Sequence, residues 1–337
     1  MNWPLWIIIF VGLGAPVGIL VADRALGLPA RTLFKVWGLP SLVLFLGGSL
    51  YTLATGDPIW TLVLWGLVGG ILGTAALDIV RLIGVRFGAF PADMPMLFGV
   101  ISLGLAPKLQ RNMTAQMVAH LAELPEEQRR AMMAERLKAL ARLREPMRVA
   151  VVSAMQRGLA QLPEARRQAV MGTQMGLLAE LPGPDRRAVM LAMDKAMTDG
   201  AAPVYAQSRG LPKIPMAMFR TFVARALPQT LQEAGVSRGQ VALRGYLWHF
   251  VIGSTFGISF TLLFGSGSWP LAFAWGIFVW AAMMVAMPPM MPMIRWPRWF
   301  PIVPFIAHIA MAVPIGYFAL RFAGLAAGSS LVGAWGL

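Results

Sequence analysis

The sequence predicts an all-α protein: a polytopic membrane helical bundle of about six spans with an inserted cytoplasmic helical-repeat domain. Three observations carry that expectation. Of the 337 residues, 57% are apolar and 13% are charged, about half the charge of a soluble domain, and the mean hydropathy is +0.64. No Asp, Glu, Lys or Arg occurs from Gly245 to Ile294, which is room for two bilayer crossings at about 20 residues each. A 19-residue unit recurs four times between Leu121 and Ala196. The absence of Cys excludes disulfides, thiolate metal sites and a Cys nucleophile.

The first apolar run, Leu5 to Ala22, closes at Asp23 and Arg24. No Lys or Arg precedes it, so it lacks the basic start of a cleaved signal peptide and reads as a retained span. A second run covers Val36 to Thr55 and a third Ile59 to about Leu77. The third carries Gly66, Gly69, Gly70 and Gly73, two overlapping Gly-x-x-x-Gly pairs that let a neighbouring backbone come close. Packing within the chain is the plainer reading of them, and a dimer seam is the alternative. Met94–Ala106 is apolar but too short to cross, which suits an interfacial or re-entrant segment. The later spans are Tyr246–Gly265, Leu271–Met287 and Ile302–Phe322. Six spans is the best count and seven its rival. The chain therefore divides into an N-terminal membrane part (1–105), a cytoplasmic helical domain (106–212), a basic amphipathic membrane-surface connector (213–245) and a C-terminal membrane part (246–337).

Charge sets the orientation. Lys and Arg number 29 against 15 Asp and Glu, for a net +14. Residues 106–245 hold 21 of the basic and 11 of the acidic residues. Basic residues near span ends mark the cytoplasmic side. Arg24, Arg31 and Lys35 follow span one, Arg81 and Arg86 follow span three, and Arg295 and Arg298 follow span five. The loop after span two has only Asp57, and the loop after span four has no charge. The N-terminus is expected outside, 106–245 in the cytoplasm and the C-terminus outside, in a prokaryotic inner membrane. Arg321 dissents, and snorkelling accommodates it. Three spans on each side of the cytoplasmic stretch also fit the geometry of an inverted repeat, although the halves share no residue-level similarity.

The repeat is the clearest pattern in the chain. Leu121-Ala-Glu-Leu-Pro125 is echoed by Leu159-Ala-Gln-Leu-Pro163 and Leu178-Ala-Glu-Leu-Pro182, with a degenerate copy at Leu140-Ala-Arg-Leu-Arg144. Each unit reads as one helix. Pro125, Pro163 and Pro182 suit a first helical position, and Glu126, Glu127, Glu164 and Asp185 then sit in first turns, where the dipole favours negative charge. Four such helices of about 15 residues over 121–196 should stack as an array, with the Leu pairs buried and the Arg pairs exposed. The doublets Arg129/Arg130, Arg166/Arg167 and Arg186/Arg187 recur in register and form a candidate interaction surface. A solvated positive face beside anionic headgroups explains them better than nucleic acid, because 106–200 is poor in aromatic residues to stack on bases.

Candidate chemistry is sparse. Met284, Met287 and Met290, within a run of six Met from Met283 to Met293, offer thioethers to Cu(I) with His308 as a nitrogen partner. Met as an irregular filler is the plainer account, since 13 of the 23 Met fall in the charged region. His249 and His308 lie near the cytoplasmic starts of their spans, where two His on facing helices could clamp a haem. A hydrogen-bonded structural His is the commoner case, and His120 lies on the array. Asp78 and Arg81, three apart, share a helix face near the cytoplasmic end of span three, as a helix-end anchor or as a polar lining. There is no phosphate loop, nucleotide fingerprint or catalytic constellation, so an enzyme is not expected. No cofactor is predicted either, and a bound lipid or pigment stays open.

Two stretches resemble a family. Gly70–Gly84 with Phe90–Gly99, and Trp280–Pro289 with Ala307–Tyr317, are similar to the opening and the closing two spans of small uncharacterised prokaryotic four-span membrane proteins of unknown function. The resemblance covers roughly a third of the chain. It implies an all-helical bundle, with the repeat array as an addition, and it transfers no catalytic residue. The expected function is a non-enzymatic accessory, scaffold or assembly subunit that binds another membrane complex through its bundle and cytoplasmic helical array, with membrane lipids and other membrane-protein subunits as partners. The alternative is a small-solute or ion transporter or channel with a cytoplasmic regulatory domain, kept open by Pro16, Pro40 and Pro314, since broken helices line transport sites.

Overall fold

The computed structural model describes residues 2–23, 28, 30–198 and 210–335. Arg24, which enters the orientation argument, lies outside the described residues. The chain opens with α1 (Trp3–Leu13), α2 (Ala15–Val21), α3 (Ala30–Leu33), α4 (Leu39–Thr55), α5 (Ile59–Arg86) and α6 (Met94–Ser102). Next come α7 (Ala106–Glu123), α8 (Glu126–Ala141), α9 (Glu145–Ala160), α10 (Glu164–Glu180), α11 (Gly183–Thr198) and α12 (Met216–Ala234). The last long helices are α13 (Arg238–Phe264), α14 (Trp269–Met290) and α15 (Ile302–Phe322). Among the described residues a single parallel strand pair occurs, β1 (Ile214–Pro215) on β2 (Ile294–Arg295), so the fold is all-α. It divides into two compact units, one of residues 1–102, 239–291 and 296–337, the other of 103–238 and 292–295.

Among the described residues five helices are long and apolar enough to cross a membrane: Phe34–Thr55, Ile59–Arg86, Arg238–Phe264, Trp269–Pro288 and Ile302–Phe322. All belong to the first unit. The first apolar run instead makes a shorter helical stretch, Trp3–Ile19, interrupted at Gly14 between α1 and α2. Pro16 has no N–H to donate and crowds the carbonyl four residues back, which loosens the helix there. The third run is longer than its apolar part. Asp57 Oδ1 accepts the Ile59 N–H at 2.9 Å and so starts α5, which continues past Leu77 to Arg86 and takes Asp78 and Arg81 with it.

Helix α5 is the axis of this unit, and its glycines explain why. Gly66 and Gly70 face α13: a Cβ at Gly66 would lie 2.6 Å from the Ile258 Cα, and one at Gly70 2.7 Å from the Ser254 Cα. Gly69 and Gly73 face α15, where a Cβ at Gly73 would lie 2.7 Å from the Met311 carbonyl oxygen. Thus each Gly-x-x-x-Gly pair seats a different partner, and both partners run antiparallel to α5. Thr261 donates its hydroxyl across the α5–α13 seam to the Leu62 carbonyl at 2.7 Å. Helix α6 approaches α13 as closely, because Gly99 lies against the Val241 carbonyl and Gly245 against that of Pro95.

The second unit is built on the repeat. Its helices α8 to α11 begin at Glu126, Glu145, Glu164 and Gly183, 19 residues apart. Pro125 and Pro163 are extended (ψ 148° and 147°) and stand one residue before their helices, and Arg144 takes the same conformation at ψ 144° without a ring. Leu121, Leu140, Leu159 and Leu178 are buried in one core with Leu143 and Leu181, while Leu124 and Leu162 pack on its edge. The expected membrane-surface connector differs from its sequence reading. Phe219, Phe222, Val223 and Ala226 of α12 are buried, and Asn112 of α7 donates to Thr230 at 3.0 Å. The apolar face of α12 is covered by protein, and Arg220 and Arg225 point outward.

Candidate functional site

The first unit holds a cluster of ionisable side chains. Asp78 and Arg81 share a face of α5, and the guanidinium Nε donates to Asp78 Oδ1 at 2.6 Å. Arg81 Nη1 donates to Asp93 Oδ1 at 2.6 Å, and Nη2 to the Tyr246 hydroxyl at 3.0 Å. His249 Nε2 lies 3.1 Å from Asp78 Oδ1; a carboxylate only accepts, so that nitrogen carries the hydrogen. Arg81 is 2% exposed and Asp78 7%. Three side chains, Asp78 of α5, Asp93 of the segment leading into α6 and Tyr246 of α13, therefore converge on one buried guanidinium, and His249 of α13 joins through Asp78.

Antiparallel packing of α5 on α13 is what brings them together. Gly66 against Ile258 and Gly70 against Ser254 fix a register that, carried along both helices, sets Asp78 beside His249 and Arg81 beside Tyr246. Two carboxylates against one guanidinium leave one excess negative charge, and the His249 imidazole gives Asp78 a second hydrogen-bond donor. Burying such a set costs several kcal/mol per ion unless every group is paired, and here every ion has a partner.

Other sequence candidates are not gathered. His308 Nδ1 donates to the Pro304 carbonyl at 2.7 Å, a local helix bond, whereas His249 is engaged with Asp78. Gly276 of α14 packs on the His308 carbonyl, and Met284 lies two helical turns further along, about 12 Å by helix rise. Met287 is buried and Met284 and Met290 half-buried, but His308 does not join them. Among the described residues no group of three or more His, Cys, Asp or Glu side chains is placed to hold a metal ion.

In the second unit the arginine ridge needs correction. Arg129 is not exposed: it is 7% accessible, donating Nε to Thr173 at 2.9 Å and Nη1 to the Leu124 carbonyl at 3.2 Å. Neighbours on a helix point about 100° apart, so one member of the doublet turns inward. Arg130 pairs with Glu180, Arg166 with Glu123 and Arg167 with Glu164. In the last doublet both members are exposed, but they differ. Arg186 donates to the Ala179 carbonyl, whereas Arg187 has neither an ion pair nor a hydrogen bond among the described residues. The expected ridge of three equivalent doublets is therefore one buried arginine, three neutralised pairs and a positive end at Arg186 and Arg187, near the start of α11. Acidic side chains of the same helix or of the neighbouring units pair with the earlier doublets, and among the described residues none pairs with the last. Apolar side chains are exposed instead. Met171 and Met175 stand one turn apart on α10, and Met190, Leu191 and Met197 lie on α11, all about half or more exposed. The corresponding Met133 and Val152 of α8 and α9 are buried, so the last two repeats differ from the first two in what they show to solvent.

Sequence reading missed Asp93 and Tyr246. The only signal for Asp93 was an acidic residue in a stretch of apolar ones, and Tyr246 stood only as the start of a span. No known family matches the chain, and neither does any curated protein or solved structure; the resemblance to four-span proteins rests on the residues quoted above.

Proposed function

We propose that this chain is a non-enzymatic accessory or assembly subunit of a prokaryotic inner membrane, docking onto another membrane protein through its helical array. The observation that carries this reading is the row of Met171, Met175, Met190, Leu191 and Met197 exposed on α10 and α11. Closed soluble units rarely expose large apolar groups in such rows, and flexible Met side chains suit a binding surface. On this reading the chain has six spans, both termini outside, and residues 106–245 as a cytoplasmic repeat domain inserted between two membrane parts. The loop charges support that orientation.

Purification in mild detergent tests the reading, with wild type compared against Met171→Asp/Met175→Asp and Met190→Asp/Met197→Asp. A defined hetero-complex, released by either double variant while the melting temperature holds, supports it. A monodisperse particle without a partner overturns it. A second reading, transport of an ion or small solute, is favoured by the buried Asp78–Arg81–Asp93–Tyr246–His249 cluster, since ionisable groups inside a membrane bundle mark transport pathways. Solute or proton flux in proteoliposomes that Asp78→Asn abolishes would establish it.

A further inference from the structure

The second unit contains a cavity of about 100 Å³, partly open to the surface. Five of its lining side chains are methionines, Met113, Met117, Met133, Met155 and Met293, with Leu121 and Phe222 among the rest. Thr114 lines it too, but its hydroxyl is donated to the Gln110 carbonyl at 3.0 Å. One charge faces this apolar wall, the half-buried guanidinium of Arg136. Other arginines of the array that lie against protein find acceptors: Arg129 on Thr173, Arg148 on the Ala141 carbonyl, Arg157 on Ser153. Arg136 has neither a hydrogen bond nor an ion pair among the described residues.

An unpartnered guanidinium beside apolar surface is costly, and it offers a planar fork of donors suited to a carboxylate. Burial also pulls Arg136 below the usual arginine range. The walls demand an apolar body. An apolar cavity of about 150 Å³ admits benzene, so the smaller volume here, about 100 Å³, takes only the last few carbons of an acyl chain, and methionines can change rotamer to admit more of it.

We propose that this cavity binds a single-chain anionic amphiphile, with its carboxylate on Arg136 and its acyl chain among the methionines. The test uses the full chain in phosphatidylcholine nanodiscs and a twelve-carbon fatty acid carrying a photoactivatable diazirine near the chain end, mapped by peptide mass spectrometry. Labelling should fall on peptides containing Met113, Met117, Met133 or Met155, saturate, and be displaced by laurate but not by dodecanol. Arg136→Gln should weaken apparent binding by about tenfold or more, and Arg136→Lys should recover part of it. Ala154→Phe, or Met117→Trp if that variant melts early, should block the cavity while the wild-type melting temperature is retained. Labels confined to the membrane spans, equal displacement by dodecanol, or labelling indifferent to Arg136→Gln would each overturn the proposal. Displacement by dodecyl phosphate but not by laurate would overturn the carboxylate in favour of a phosphate headgroup.

Discussion

Three acceptors depend on one side chain at Arg81, and that dependence can be measured. Arg81→Gln should cost about 3–5 kcal/mol, because it strands Asp78 and Asp93 as buried or half-buried charges. Tyr246→Phe removes one hydroxyl from the same guanidinium and should cost about 1 kcal/mol. Denaturant titration in detergent compares the two, and equal losses would show that the ion pairs are not what the cluster supplies. A surface pair behaves differently. Lys195 hydrogen-bonds Glu145 and holds its carboxyl below the ordinary glutamate range, with Arg148 adding to the effect. The group is depressed when folded, so its contribution is present above the unfolded pKa and lost as pH falls through the folded one. A ¹³C-carboxyl titration should place Glu145 below free glutamate, and Lys195→Ala should return it most of the way to the usual value, with the smaller effect of Arg148 left in place. At this scale the sequence was half legible. Asp78 and Arg81 could be paired from three-residue spacing alone. His249, more than 160 residues on, could not be joined to them without the register of α5 on α13. Nor did the arginine doublets say that Arg129 turns inward while Arg187 stays in solvent.

Helices meet where glycines permit, and here the sequence was more informative. The Gly66/Gly70 and Gly69/Gly73 spacing announced close packing, although the letters could not say that one pair serves α13 and the other α15. The consequence is a contrast between two substitutions of one kind. Gly70→Ala puts a methyl group against the backbone of Ser254, so the helices must separate, at about 1–3 kcal/mol. Gly47→Ala in α4 meets nothing within 4 Å and should be neutral or stabilising by up to about 1 kcal/mol, as helix propensity favours Ala. Melting temperatures of the two variants decide it; a comparable loss at Gly47 would mean that α4 is packed there. In the array the repeated Leu positions foretold the core, because a 19-residue period returns the same face to each helix. What the pattern could not convey is that α10 and α11 leave Met171 and Met190 in solvent where Met133 and Val152 are covered.

For the whole molecule the open quantity is whether the first apolar stretch crosses the membrane. Its length argues against this, since 17 residues rise about 26 Å against a hydrocarbon thickness of about 30 Å. Its neighbours argue for it. Gly48 packs on Ile9, Gly12 on Ser41 and Gly18 on Trp37, so the stretch runs antiparallel beside most of a helix that is long enough to span. At its start Trp6 donates its indole N–H to the Leu262 carbonyl at 3.1 Å, and Ile9 shares a buried cluster with Ile59 and Leu62. The beginning of α1 is thereby tied to the same end of the bundle as the beginning of α5 and the end of α13. Reporters after Asp57, after Gly235 and at the C-terminus cannot separate six spans from five, because both arrangements place them outside, inside and outside. The N-terminus can. Six spans put it on the same side as Asp57, and five leave it in the cytoplasm. A short N-terminal tag probed on intact spheroplasts should therefore be accessible without permeabilisation, as a tag after Asp57 is. A tag reached only after permeabilisation would return the first stretch to the cytoplasmic face, and with it the six-span arrangement would fall.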